Sequence, residues 1–178
     1  MNQNYTMAAQ ERLQESVQLA QSSGHSTIES LHLLRSILHA SESINQSLLE
    51  RAGGSIQALK TDVDNALSKM AKVSGNTWEP WASGELGKVL QSAEKAMKSM
   101  SDSYTTEEHL MIGLLESAKS LEGTFKSAGL TLKGYEEAVK KLRNGKKVTS
   151  NTAENLYESL KKYTIDLIDQ AKKGKIDP

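Results

Sequence analysis

Apolar side chains recur every three or four positions through most of the chain, and two-residue alternation is nowhere sustained. That spacing predicts helices from end to end. The first helix follows Thr6 as its cap, turns Met7, Leu13, Val17 and Ala20 inward, and stops near Gly24. A second spans about Glu29 to Ala40, with Leu31, Leu34, Ile37 and Leu38 as its apolar positions. A short third, Ile44 to Arg51, ends at Gly53-Gly54, and Ser55 caps a fourth whose stripe is Ile56, Leu59, Val63, Ala66, Leu67 and Met70. Gly75-Asn76 and Pro80 then interrupt a connector between Ala71 and Ser83.

The same order returns. Leu86, Leu90, Ala93 and Met97 line the next helix, and Thr105-x-x-Glu108 has capping-box spacing before another, with Thr106 serving as cap equally well. Leu121 to Ser127 is a short third, and Leu132, Tyr135, Val139 and Leu142 mark a fourth. His32-Leu33-Leu34-Arg35-Ser36-Ile37-Leu38 recurs further along as His109-Leu110-Met111-Ile112-Gly113-Leu114-Leu115. Leu13 pairs with Leu90 at the same offset, whereas Ala52-Gly53 pairs with Ala128-Gly129 at an offset shorter by one, so a single position is lost between the anchors. A period this long marks a duplicated helical unit. The expected fold is all-α: a pseudo-two-fold bundle of two four-helix repeats over residues 1–145, with repeat one at 1–70, a connector at 71–83 and repeat two at 84–145. Residues 146–178 read as a polar linker and one amphipathic helix, about Ala153 to Lys173, whose stripe through Leu156, Leu160, Tyr163 and Leu167 has no counterpart in either repeat.

Composition narrows the function. With 178 residues and 37% apolar content the chain can bury a core. Twenty-two basic residues balance 22 acidic ones, which argues against a nucleic-acid partner, since that would need a basic stripe. Cysteine is absent, so disulfides, thiolate metal sites and a cysteine nucleophile are excluded. The N-terminal residues lack a signal-peptide pattern, and no stretch approaches the roughly 20 apolar residues of a membrane span. A cytoplasmic location with no membrane partner is the expectation.

Motifs for chemistry are missing. The sequence contains no phosphate-binding Gly-x-x-x-x-Gly-Lys-Ser/Thr loop, no glycine-rich dinucleotide turn and no Gly-x-Ser-x-Gly elbow. His32 and His39 lie seven apart without a second pair, and His32 and His109 hold equivalent repeat positions. Both are expected to cap or pack at the start of their helices, with no metal bound. Asp102 and Glu108 flank the entry to repeat two's second helix; an acid/base pair there would need burial and a raised pKa. No catalytic residues and no cofactor are expected in this segment. Trp78 and Trp81 flank Pro80 and either cover the seam between repeats or bind something. Met100 is the methionine expected at the surface.

The two-repeat body, with its His-Leu-x-x-x-Leu/Ile-Leu anchors and Ala-Gly punctuation, resembles the Clp N-terminal domain of AAA+ unfoldases. Leu160-Lys161-Lys162-Tyr163-Thr164-Ile165-Asp166-Leu167 and Gly174-Lys175-Ile176-Asp177-Pro178 look like the segment that joins this domain to the first ATPase module in ClpB/Hsp104-type disaggregases. The resemblance covers the whole chain. It implies a substrate-recognition domain that binds exposed apolar segments of unfolded or aggregated proteins and passes them to the ring. An alternative is an adaptor-docking domain, as in protease-partnered Clp relatives. ATP and Mg, a homohexameric ring and the Hsp70 system would belong to modules beyond Pro178. The family's motif places substrate contacts at Asp102 and Glu108, beside the apolar positions Leu90 and Leu110. Ser92, His109 and the Trp78-Glu79-Pro80-Trp81 connector depart from it. An apolar groove with carboxylates at its rim would favour segments that carry hydrophobic residues beside basic ones.

Overall fold

The computed structural model describes residues 4–75 and 78–152. The expected last helix lies outside these residues. Repeat one runs α1 (Met7–Ser22), β1 (Thr27–Ile28), α2 (Ser30–His39), α3 (Ile44–Arg51) and α4 (Ile56–Ser68). Repeat two follows with β2 (Trp81–Ala82), α5 (Gly84–Ser99), α6 (Glu107–Ser117), a 3-10 turn at Lys119–Leu121, α7 (Glu122–Ser127) and α8 (Leu132–Arg143). Met7, Ser30 and Ile56 open α1, α2 and α4; their counterparts in the repeat, Gly84, Glu107 and Leu132, open α5, α6 and α8. The duplication in the sequence is therefore a duplication in space.

The helices start where hydroxyls satisfy their first free N–H groups. Thr6, Ser55, Ser83, Thr106 and Thr131 accept from the backbone of α1, α4, α5, α6 and α8. The cap of α6 is thus Thr106, not Thr105. Ends are set by left-handed residues: Gly24 after α1, Gly53 after α3, and Asn144 followed by Gly145 after α8.

The repeats clasp each other through short extended segments, which helical periodicity could not reveal. β1 pairs in parallel with β2, matching Ile28 to Ala82, and Tyr5 forms the corresponding bridge to Thr105. Under the offset that relates the repeats, Tyr5 becomes Ala82 and Ile28 becomes Thr105, so one pair maps onto the other. The segment before each repeat's first helix therefore lies against the loop before a second helix, α1's on repeat two's loop at Thr105 and α5's on repeat one's at Ile28. Trp81-Ala82 belongs to this symmetry and is more than a connector.

The core is continuous across both repeats. Leu33, Leu34, Ile37, Leu48, Leu59 and Val63 from the first meet Val89, Leu110, Met111, Leu114 and Tyr135 from the second. α6 packs directly on α5: a β-carbon at Gly113 would stand 2.3 Å from the Val89 carbonyl. Tyr135 donates its hydroxyl to Asn45 Oδ1, tying α8 to α3.

Three positions expected inside are outside: Met7 is 55% exposed, and Val17 and Ala66 are exposed as well. The buried face of α1 is instead Ala9, Arg12, Ser16 and Ala20. Its polar members find partners there, since Ser16 donates to the Arg12 carbonyl and Arg12 reaches Glu107. Hydrophobicity alone therefore points to the wrong face. Trp78 is half-buried and donates its indole N–H to the His25 carbonyl, so it covers the seam, while Trp81 is 63% exposed.

Candidate functional site

The acids singled out in repeat two meet at a buried arginine. Arg143, in the last turn of α8, forks onto Glu108 through Nε at 3.3 Å and Nη2 at 3.2 Å. Its Nη1 reaches Asp102 Oδ2. Asp102 also accepts the Val148 N–H at 2.8 Å through its other oxygen, and His109 Nε2 lies 2.9 Å from Oδ2. Burial alone would raise the Asp102 carboxyl, but the bonds from His109, Val148 and Arg143 outweigh it and hold the group at about 2. Arg143 is likewise driven up, against its desolvation, by Glu108 and Asp102. Glu108 takes a further bond from the Thr106 hydroxyl at 2.6 Å.

This geometry corrects the expected rim. Asp102 and Glu108 are buried and spent on Arg143, so they join the end of α5, the start of α6 and the end of α8 and present no carboxylate to a ligand. Leu110 is fully buried in the core between the repeats. Leu90 alone of the four is half-exposed. Sequence reading misses Arg143, although it breaks the duplication where the pattern of repeat one has Leu67.

The two repeat histidines do cap their helices. His32 Nδ1 accepts the Glu29 N–H and His109 Nδ1 the Thr106 N–H, each at 2.9 Å. Each ring therefore carries its proton on Nε2. His32 gives it to His25 Nδ1 at 2.8 Å. Burial lowers His32 to about 4, with the neighbouring His25 adding to the effect. His39 lies apart from His32, beside Asp64. Among the described residues no cluster of three His, Cys, Asp or Glu side chains is placed to hold a metal ion.

Two partly apolar surfaces remain in repeat two. Leu90, Glu94 and Met97 form a line along one flank of α5, and all three are half-buried. Tyr5 lies near enough to feel Glu94: burial and that negative charge push its phenol up to about 12. α1 and α5 both pack on α6, whose Leu110 lies beneath. The second surface is a shallow cavity of about 350 Å³, where Met100 and Val139 meet Lys140, Lys146 and Lys147. Lys147 is held at its edge by donating Nζ to the Met100 carbonyl at 2.7 Å. No helix among the described residues is long and apolar enough to cross a membrane.

Residues 4–128 match the Clp repeat (R) N-terminal domain. The chain is 37% identical over 175 residues, 98% of its length, to the chaperone protein ClpB of Bacteroides thetaiotaomicron, of which it covers 20%. It thus spans about a fifth of the length of the curated relatives it matches. Among solved structures it resembles the Hsp104 N-terminal domain from Candida albicans, with a TM-score of 0.77 and 24% identity over 85% of this chain and 99% of that one. It also resembles a ClpV N-domain in complex with a VipB peptide, with a TM-score of 0.62 and 16% identity over 80% and 88%. The duplicated helices, the histidine caps and the match over most of the described residues give one conclusion: this chain belongs to the Clp repeat (R) N-terminal domain family.

Proposed function

We propose that this chain is the substrate-recognition domain of an ATP-dependent protein disaggregase, binding exposed apolar segments of unfolded or aggregated polypeptides. The observation that carries this reading is the flank of α5, where Leu90 and Met97 leave apolar surface half-exposed on one helical line. Two partly buried apolar side chains on one line, a methionine among them, give a flexible apolar partner a short adaptable contact. Affinity is expected at about micromolar or weaker, because a small surface offsets only part of the entropy of immobilising a chain. Asp102, Glu108 and Leu110 serve the site from behind: the carboxylates fix the ends of α5 and α6 through Arg143, and Leu110 supports the floor. The ATPase with its Mg, the hexameric ring and the Hsp70 contact belong to the longer protein in this proposal.

The test is a titration of the chain with an unfolded casein-like protein, followed by amide and methyl shifts. Perturbations at Leu90 and Met97, weakened by Leu90→Ser, support the reading; their absence rejects it. Leu110→Ser is the wrong probe, since it puts a hydroxyl into the core and disturbs folding first. A second reading is an adaptor-docking domain; the fold it shares with a ClpV N-domain solved in complex with a VipB peptide keeps that reading in view without choosing between a peptide and a folded partner. A single stoichiometric folded partner in a pull-down would select it.

A further inference from the structure

The groove that opens beside the buried acids carries the opposite charge from the one their positions suggested. After α8 the chain turns through two left-handed residues, Asn144 and Gly145, and this turn brings Lys146 and Lys147 round to the cavity that Lys140 borders. Arg143 is occupied inside by Asp102 and Glu108. The exposed edge is therefore three lysines against one acid, Glu136. Its apolar surface is Met100, half-buried at the end of α5, with the core residue Val139, 1% exposed, lying beneath. At about 350 Å³ the cavity sits at the small end of ligand sites, enough for one or two side chains and too small to seat a folded surface.

We propose that this groove takes an extended polypeptide segment in which an apolar side chain has Asp or Glu as neighbours. The inference rests on the recognition function proposed above and assigns that function a substrate preference. The methionine provides an adaptable apolar contact. Lys140 and Lys146 at the exposed edge, with Lys147 tied to the Met100 carbonyl, discriminate by charge more than they add affinity, so basic neighbours are disfavoured where acidic ones are accepted.

The experiment titrates the full chain with three unstructured peptides, identical except that one Leu-Phe pair is flanked by Glu, Gln or Lys. Anisotropy gives Kd, and methyl shifts give the location. The Glu-flanked peptide binds tightest, by about fivefold over the Gln-flanked one, with shifts at Met100 and Val139, and its advantage shrinks at high salt. Lys140→Glu combined with Lys146→Glu reverses the order, whereas the equally charged control, Lys69→Glu with Lys126→Glu, leaves it unchanged. Equal binding of all three, a Lys-flanked preference, or shifts confined to Leu90 and Met97 overturns the charge preference while leaving the recognition function standing. No binding by any peptide rejects both. Occupation of Met100 and Val139 by the chain's own residues beyond 152, or by a second copy, that the Glu-flanked peptide fails to displace also overturns it.

Discussion

His25 and Asp102 occupy the same place in the two repeats, and each faces Nε2 of the histidine in the first turn of the next helix, His25 Nδ1 at 2.8 Å from His32 and Asp102 Oδ2 at 2.9 Å from His109. The capping histidine is common to both copies, but the group behind it differs. In repeat one a neutral imidazole accepts, and its own Nε2 is buried without a partner. In repeat two a carboxylate faces the ring, and Arg143 balances it. The duplicated frame thus carries one uncharged and one charged version of the same joint.

These versions respond differently to acid. Burial lowers His32 to about 4, so between about 4 and the unfolded value near 6.5 the folded chain binds fewer protons than the unfolded one. The stability from this pair is complete above that window and is lost as pH falls through it, by roughly 3 kcal/mol. Asp102 acts lower: held at about 2, it contributes above its unfolded value of 3.8 and loses that contribution as pH falls toward 2. His25→Asp should lower stability at neutral pH, because no arginine balances the new carboxylate, and should flatten the upper slope by favouring protonated His32. Urea midpoints recorded across this range check both effects; an unchanged slope would reject the assignment to His32.

Helix starts, turns and the duplication were legible because capping hydroxyls, glycines and apolar spacing are local signals. Ser55 and Gly53 act where the sequence places them. What was illegible depends on contacts between distant residues. The inward face of α1 is marked by Arg12 and Ser16, whose burial makes sense only once Glu107 and the backbone are beside them. The pairing of Trp81-Ala82 with Thr27-Ile28 is too short for any strand pattern. Asp102 and Glu108 stand out in the sequence, but their orientation depends on Arg143, 35 or more positions away.

The two tryptophans should separate cleanly in fluorescence. Trp81→Phe leaves Trp78, half-buried and bonded to the His25 carbonyl, while Trp78→Phe leaves the exposed Trp81. The first variant should emit to the blue and resist acrylamide; the second should quench readily. Trp78→Phe should also cost about 1 kcal/mol through the lost indole bond. Equal quenching of the two variants would contradict this placement of the connector.

Gly113→Ala tests the contact between α5 and α6. The added methyl would meet the Val89 carbonyl at 2.3 Å and the Ala93 nitrogen at 3.1 Å, both backbone atoms that cannot rotate away. The helices must separate, and overpacking of this kind costs about 1–3 kcal/mol or more. The corresponding residue in repeat one is Ser36, whose hydroxyl bonds the Arg12 carbonyl. Thermal unfolding of Gly113→Ala and Ser36→Ala together would show the asymmetry, with the glycine substitution the more damaging despite alanine's higher helix propensity.

The buried charges of repeat two are replaceable as a set and costly to break singly. Asp102, Glu108 and Arg143 stand where repeat one has His25, Leu31 and Leu67. Arg143→Leu alone leaves two carboxylates buried without their cation, which costs about 3–5 kcal/mol. Combining it with Asp102→His and Glu108→Leu imports the repeat-one arrangement: the new imidazole can accept from His109 as His25 does from His32, and two apolar side chains face each other in place of the ion pair. The Val148 N–H, which now donates to Asp102, must find a weaker acceptor. The triple variant is therefore expected within about 2 kcal/mol of the native chain. Chemical denaturation of the single, double and triple variants resolves the coupling. A triple variant as unstable as Arg143→Leu would mean that repeat two has diverged in backbone as well as in side chains.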